Sequence, residues 1–291
     1  MARAFGARDL PRLALKSGYG PAPYLFIIAL ETLAIKIRND DSIKGFTIGG
    51  ETTKLSLFAD DMTCFLRDKE SHTCLFAILE SFGSCSGLRV NHDKTEIIAL
   101  GSNILREKDF NDHKICKIIK ILGVYFGYGE KQRNDLNFRQ TLKSIKKSIH
   151  MWKWRNLSIL SKIQIIKTFA IPKLLFRASV IPMPNDLVKE VNSIFYTFMW
   201  NGKDKVKRCA LISSIDKGGL KMLDIESMIS ARRVTCLKKF LEDYPSTWKS
   251  FLNSCIFSVG ESLILHCNFD TVKLKLSFRN IVKNALTHGR V

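Results

Sequence analysis

The chain is 291 residues long and 46% hydrophobic, enough to bury a sizeable core and to form two folding units. Its net charge of +19 and pI near 9.7 set up a field that a small-molecule enzyme does not need, which leaves nucleic acid or an acidic membrane surface as partner. No window approaches the roughly 20 apolar residues of a membrane-spanning helix.

The first fifteen residues, MARAFGARDLPRLAL, have the positive charge of a targeting peptide but neither its hydroxyl residues nor a cleavage-type ending. Pro23 stands at the first turn of a helix through YLFIIALETLAIKIR, which NDDS ends. The stretch IKGFTIGGETTKLSLF reads as a hairpin, with Phe46 to Ile48 as one arm, Gly49-Gly50 as the turn and Lys54 to Phe58 as the other arm. Asp60 and Asp61 follow at once, and TCFLR returns as a strand, so the two aspartates fall in a tight strand-to-strand turn. Adjacent carboxylates repel, and burying either is costly without a partner. A bound cation would resolve the conflict, and so would an exposed turn.

Ser71 caps a helix with Leu75, Ile78, Leu79 and Phe82 on one face and Gly87 at its end. LRVNHDKTEIIAL returns as a strand carrying Lys94, and after a loop near residues 101–113, KIIKILGVYFG reads as a strand or hairpin. Strands interrupted by helices make this half α+β. Beyond Gly129 the period becomes helical. Phe138, Leu142, Ile145, Ile149 and Trp152 line one face as core, and Lys143, Lys146, Lys147 and Lys153 occupy the rest of the helix. A second helix begins at Ser158 or Ser161 and stops at Pro172, a third ends at Asn201-Gly202, and a fourth ends before Pro245. The domain boundary is expected near residue 130.

The charge is concentrated in this second half. From Lys131 to Arg208 there are 17 Lys or Arg against 4 Asp or Glu, a local excess of +13, as expected of a face that follows phosphates. The lysines of the first helix read either as a solvated face or as duplex-phosphate contacts. The eight cysteines follow no framework spacing and read as reduced thiols of an intracellular protein. His72-x-Cys74 and His113-x-x-Cys116 are half-sites without a matching pair, and zinc is not expected.

Phe58-Ala59-Asp60-Asp61 on a hairpin resembles the polymerase turn of reverse transcriptases, and its surroundings resemble the enzymes of non-LTR (LINE-like) retrotransposons in particular. Upstream, KSGYGPAPYLF is similar to that family's Arg-Gln-Gly-x-Pro-Leu-Ser-Pro-Tyr-Leu-Phe segment through Gly18, Pro23, Tyr24, Leu25 and Phe26, while Lys16, Ser17, Gly20, Pro21 and Ala22 depart from it. Downstream, SGLRVNHDKTEII is similar to its Gly-x-x-x-Asn-x-x-Lys-[Ser/Thr] strand and IKILGVYFG to its primer-grip hairpin. LSILSKIQIIKTFAIPKLLFRASVIP and the stretch from FMWNGKDKVKR to GGLKMLDIESM look like the thumb and the region after it.

The resemblance implies an α+β fold, a partial polymerase palm of antiparallel sheet and helices followed by an all-helical thumb-like region. Residues 16–130 would be the palm and 131–244 the thumb with a basic connection, with 1–15 and 245–291 unassigned. It implies RNA-directed DNA polymerase activity, a metal-dependent nucleotidyl transfer using two Mg²⁺ ions. Asp60 would be the main Mg²⁺ ligand and Asp61 a supporting one, and Lys94 would protonate the leaving pyrophosphate. Gly18 and Pro23 belong to the nucleotide-binding segment, Leu122 and Gly123 to the primer grip, and Lys143, Lys146, Lys147 and Lys153 to the nucleic-acid contact. The partners would be an RNA template and a DNA primer or RNA–DNA hybrid, with deoxynucleotides if the site is completed, in the nucleus or cytoplasm and away from membranes. The family's remaining carboxylate lies on a strand well upstream of the Gly-Pro segment, and Asp9 lacks the apolar strand around it. The expectation is therefore a truncated enzyme, lacking fingers and first metal-binding strand and inactive as given. The alternative is a non-catalytic nucleic-acid-binding protein of the same ancestry.

Overall fold

A computed structural model describes residues 2–4, 22–48, 50–100, 110, 113–244, 246, 248–250 and 252–253. The chain forms two compact units. One comprises Met1–Leu122, Phe126–Tyr128 and Ser246–Ser254, the other Gly123–Tyr125, Gly129–Pro245 and Cys255–Val291. The first mixes helices with small sheets and the second is helical, an α+β composition. Among the described residues no helix is long and apolar enough to cross a membrane.

In the first unit, α1 (Ala22–Asn39) buries Leu30, Leu33, Ala34 and Ile37, spaced three, one and three apart along a single stripe. Strands β2 (Phe46–Ile48) and β3 (Glu51–Thr53) pair with Ile48 opposite Glu51. Gly50, just before β3, sits at φ 83°, a conformation that favours glycine, and Gly49 lies outside the described residues. The second arm of this hairpin is therefore β3, and the segment expected to form it, β4 (Leu55–Phe58), belongs to another sheet. That sheet runs in the order β4, β5 (Asp61–Cys64), β1 (Ala2–Ala4), β6 (Glu96–Ile97) and β7 (Lys114–Ile115). Helix α2 (Lys69–Ser86) adds Leu75, Ile78 and Leu79 to a core shared with α1, Leu55, Met62 and Cys64. Burial pushes the Cys64 thiol up to about 12, so it stays protonated packing.

Asp68, three residues before Ser71, caps α2. Its carboxylate accepts from the Ser71 N–H at 2.8 Å and from the Ser71 hydroxyl at 2.5 Å, and it pairs with Lys44 Nζ at 3.3 Å. Ser71 is fully buried inside the first turn and accepts from the Lys44 N–H at 2.8 Å. A carboxylate at the helix N-terminus also meets the positive end of the helix dipole, which a serine cap would not exploit. Gly87 ends the helix as expected, at φ 73° with its N–H on Gly83 O.

The second unit opens with α3 (Glu130–Asn134), a wide turn over Asp135–Arg139, and α4 (Gln140–Lys153). Phe138, Leu142, Ile145 and Ile149 are buried on one face, whereas Trp152 is only half-buried. Ser158 caps α5 (Ile159–Ile165) by accepting from the Ser161 N–H at 3.2 Å. The helical path does not stop at Pro172. It passes through a second wide turn, Ile166–Ala170, and continues as α6 (Ile171–Val180) with Pro172 in its first turn. In that wide turn the Ile171 N–H reaches back five residues to Ile166 O, which opens the space a proline ring would otherwise crowd. Helix α7 (Asn185–Trp200) ends at Asn201 in the left-handed region, φ 52°. The buried Lys162 donates to Met199 O at 3.3 Å and Asn201 Oδ1 at 2.8 Å there, closing the helix end. Helices α8 (Arg208–Ile212) and α9 (Ile225–Leu241) complete the described part, α9 capped by Asp224 on the Ser227 N–H at 2.8 Å.

His72 on α2 is 1% exposed, and neither ring nitrogen has a hydrogen-bond partner. It packs among Phe76, Phe110 and His113, ring centroids 4.6, 5.1 and 5.7 Å away. Burial, assisted by the neighbouring His113, pushes its pKa down to about 4. An unfolded histidine takes up its proton near 6.5, so the unfolded state gains protons first and stability falls as the pH drops from about 6.5 toward 4. Urea midpoints at pH 7 and pH 5 should therefore differ more for the wild type than for His72→Leu. Equal acid losses in both proteins would show that His72 is not the group responsible.

Candidate active site

Phe58 and Asp61 are the last paired residues of β4 and β5, so Ala59 and Asp60 form a two-residue turn. Ala59 sits at φ 51°, a conformation that carries a cost for any residue with a Cβ. Asp60 is exposed and Asp61 half-buried. Behind them Met62, Thr63 and Cys64 are all buried, so β5 is anchored on both faces while Asp60 remains in water and Asp61 lies at the boundary.

The strand on the other side of β5 is β1. Arg3 pairs with Thr63 on one side and Glu96 on the other, which makes β5 and β6 parallel and puts their N-terminal ends at the same edge of the sheet. Asp61 and Lys94 each stand two residues before that shared row. One strand, β1, therefore stands between β5 and the strand that follows Lys94. Lys94 is not on the strand as expected. It closes a short helical turn, His92–Lys94, in which Asn91 Oδ1 accepts from the Lys94 N–H at 3.1 Å, and β6 begins only at Glu96. The asparagine's local bond to the backbone competes with extension and delays the strand. Lys94 is exposed.

Below the hairpin lies a cavity of about 10 Å³, room for one water, bounded by Phe26, Leu57, Met62, Leu88, Asp60 and Arg89. Arg89 is a cation that sequence reasoning did not single out. Its one signal is its place two residues past the helix-ending Gly87, where the chain must turn back toward the sheet. Gly18 lies outside the described residues, and Pro23 lies in the first turn of α1.

Leu122 and Gly123 form the two-residue turn between β8 (Ile118–Ile121) and β9 (Val124–Gly127), both at positive φ, 47° and 84°. Two successive left-handed residues match the right-handed twist of the flanking strands. Gly123 suits its position, and Leu122 is strained there. Within the second unit the residues after this turn are held tightly. Asn137 donates to Tyr125 O and accepts from the Tyr125 N–H, both at 2.9 Å, as a neighbouring strand would. Arg177 on α6 donates from Nε to Gly123 O at 3.1 Å and from Nη1 to Asn137 O at 2.9 Å and to the Thr141 hydroxyl. Sequence reasoning missed both Asn137 and Arg177.

Lys143, Lys146, Lys147 and Lys153 are all exposed on α4. Lys146 is drawn to Glu190 at 2.8 Å, which reduces the charge it presents.

Residues 11–126 match a family model described as Reverse transcriptase (RNA-dependent DNA polymerase). The matched stretch contains the Asp60-Asp61 hairpin, Lys94 and the Leu122-Gly123 turn, so the similarity to reverse transcriptases covers the candidate residues of the first unit and Gly123. The match ends before α3.

The two turn residues make a stability test. Leu122→Asn relieves the left-handed strain and should raise stability by up to about 1 kcal/mol in urea melts. Arg177→Leu removes charge-assisted bonds to three acceptors and should cost about 1.5–3 kcal/mol. A neutral Arg177→Leu would show that the Gly123 carbonyl does not need it.

Proposed function

We propose that this protein is a palm-and-thumb portion of a non-LTR retrotransposon reverse transcriptase, which binds an RNA template with its primer but does not extend the primer by itself. The observation that carries the reading is the exposed Asp60 in a hairpin turn with the half-buried Asp61 next to it, inside the reverse transcriptase match and at the same sheet edge as the turn that carries Lys94. Hard carboxylate oxygens at a solvent-accessible turn suit Mg²⁺, which keeps several waters. Held there, Mg²⁺ would activate the primer 3′-hydroxyl and screen the leaving pyrophosphate. Asp60 would be the main ligand and Asp61 the supporting one, while Lys94 would donate a proton to the pyrophosphate as its bond to the α-phosphorus breaks. The Leu122-Gly123 turn would hold the primer end, and the segment with Gly18 and Pro23 would contact the nucleotide.

The second reading, a nucleic-acid-binding protein without catalysis, is favoured by the local excess of +13 between Lys131 and Arg208, since binding needs only phosphate neutralisation whereas extension needs two metals held together. Losing a ligand that acts in the transition state lowers the chemical rate far more than the affinity.

The assay is a primed RNA template with Mg²⁺ and deoxynucleotides, run beside Asp60→Ala. Binding without extension in either protein is expected. Extension that vanishes in Asp60→Ala would overturn the inactive reading. The log of the binding constant should fall linearly with log salt, and each lost duplex-phosphate contact should flatten that slope by about 0.9. Lys143→Gln and Lys147→Gln should each flatten it more than Lys146→Gln, because Glu190 already holds Lys146.

A further inference from the structure

The turn that leaves α4 carries an aromatic cluster that the polymerase reading does not use. Trp152 lies nearly parallel to Phe169, with centroids 5.8 Å apart and planes 30° apart. The Arg155 guanidinium sits 4.7 Å over the Trp152 ring. Trp154 meets only the edge of His150, at 6.1 Å, and is 81% exposed. Single exposed aromatics are common on this surface, but Trp154 stands within a cluster of stacked rings and a guanidinium, which is the composition of a stacking platform.

The charge around the cluster identifies the partner. From residue 136 through residue 185 there are ten Lys or Arg and no Asp or Glu. Lys162 and Arg177 are spent on internal hydrogen bonds and Lys146 on Glu190, and the remaining cations, Lys153 and Arg155 among them, still favour a polyanion. Among polyanions, nucleic acid also presents flat π faces, which indole rings and stacked guanidinium planes accept. In a duplex those faces are consumed by neighbouring bases, so the matching ligand is unpaired.

We propose that Trp154, with the Arg155–Trp152 stack beside it, is a stacking site for the bases of single-stranded nucleic acid, separate from the Asp60-Asp61 hairpin. Lys153 and Arg155 contact the flanking phosphates while Trp154 takes one base face. The inference rests on the nucleic-acid-binding part of the function proposed above.

The test uses the full chain, an unstructured oligouridylate of about twelve nucleotides and an abasic phosphodiester of the same length. Trp154→Ala should weaken oligouridylate binding about five- to a hundredfold. It should leave abasic binding and the salt slope unchanged, while Trp154→Phe keeps most of the affinity. Circular dichroism and the urea midpoint of Trp154→Ala should match the wild type, as expected for so exposed a side chain. Equal oligouridylate affinity in wild type and Trp154→Ala would overturn the inference, and so would an equal loss on the abasic strand. It would also fall if the substitution weakened only the binding of phosphatidylserine vesicles, since the indole would then be a membrane anchor. Failure of the wild type to bind either strand at low salt would overturn the nucleic-acid reading itself, whereas the other negative outcomes overturn only the stacking site.

Discussion

Asp60 and Asp61 repel one another, and neither can enter an apolar interior without a cation or a set of donors to replace water. The first unit is arranged around that constraint. The two-residue turn puts both carboxylates at the edge of the sheet, and it does so with Ala59 held in a left-handed conformation that an alanine does not favour. Met62 and Cys64, one and three residues further into β5, pack in the core with α1 and α2 and keep the strand from sliding. A slip of one residue would move Asp61 into a fully buried position, so the burial of Met62, Thr63 and Cys64 and the cost of burying a carboxylate specify the same register.

The Leu122-Gly123 turn is held by a different interaction. Its tip residues are chosen by backbone geometry, and within the second unit Gly123 and Tyr125 are held by side chains. Asn137 pairs with both backbone groups of Tyr125, and Arg177 holds the Gly123 carbonyl. A buried amide with satisfied partners orients a segment more sharply than apolar contact does, because its bonds have direction. The two hairpin tips share a design, two-residue turns with strained first positions, but one is anchored by a core and the other by polar bonds.

Much of this was readable in the residues. The 30, 33, 34, 37 spacing of α1, the turn at Gly50, the aspartates between two β-rich runs and the Asn201-Gly202 stop are local signals, and local energetics settles them. What was misread depended on competition between comparable signals. Ser71 is a good cap by type, but Asp68 is better placed and turns Ser71 into its hydrogen-bond partner. Lys94 was read on a strand because Val90, Thr95, Ile97 and Ile98 favour one, yet Asn91 bonds the backbone first. Trp152 was read as core with Phe138, Leu142, Ile145 and Ile149, but at the last turn of α4 it finds only Phe169 to stack on and stays half-buried. Asn137 and Arg177 left no pattern to read, since their acceptors lie 12 and 54 residues away.

The two wide turns have a consequence for how this chain can change. Each takes one more residue per turn than a regular helix, with Gln140 N–H reaching Asp135 O and Ile171 N–H reaching Ile166 O. Each therefore behaves as an insertion absorbed without breaking the helix. Asn137 lies inside the first, and Arg177 lies just beyond the second. Deleting one residue from either turn would restore regular winding and leave the downstream faces nearly in phase, because the wide turn has already absorbed one residue too many. A deletion in a regular stretch has nothing to absorb it and rotates everything downstream by about 100°. Between Ile171 and Phe176 that rotation would aim Arg177 away from Gly123, so single-residue deletions between 166 and 170 are the mildest this helical path can take.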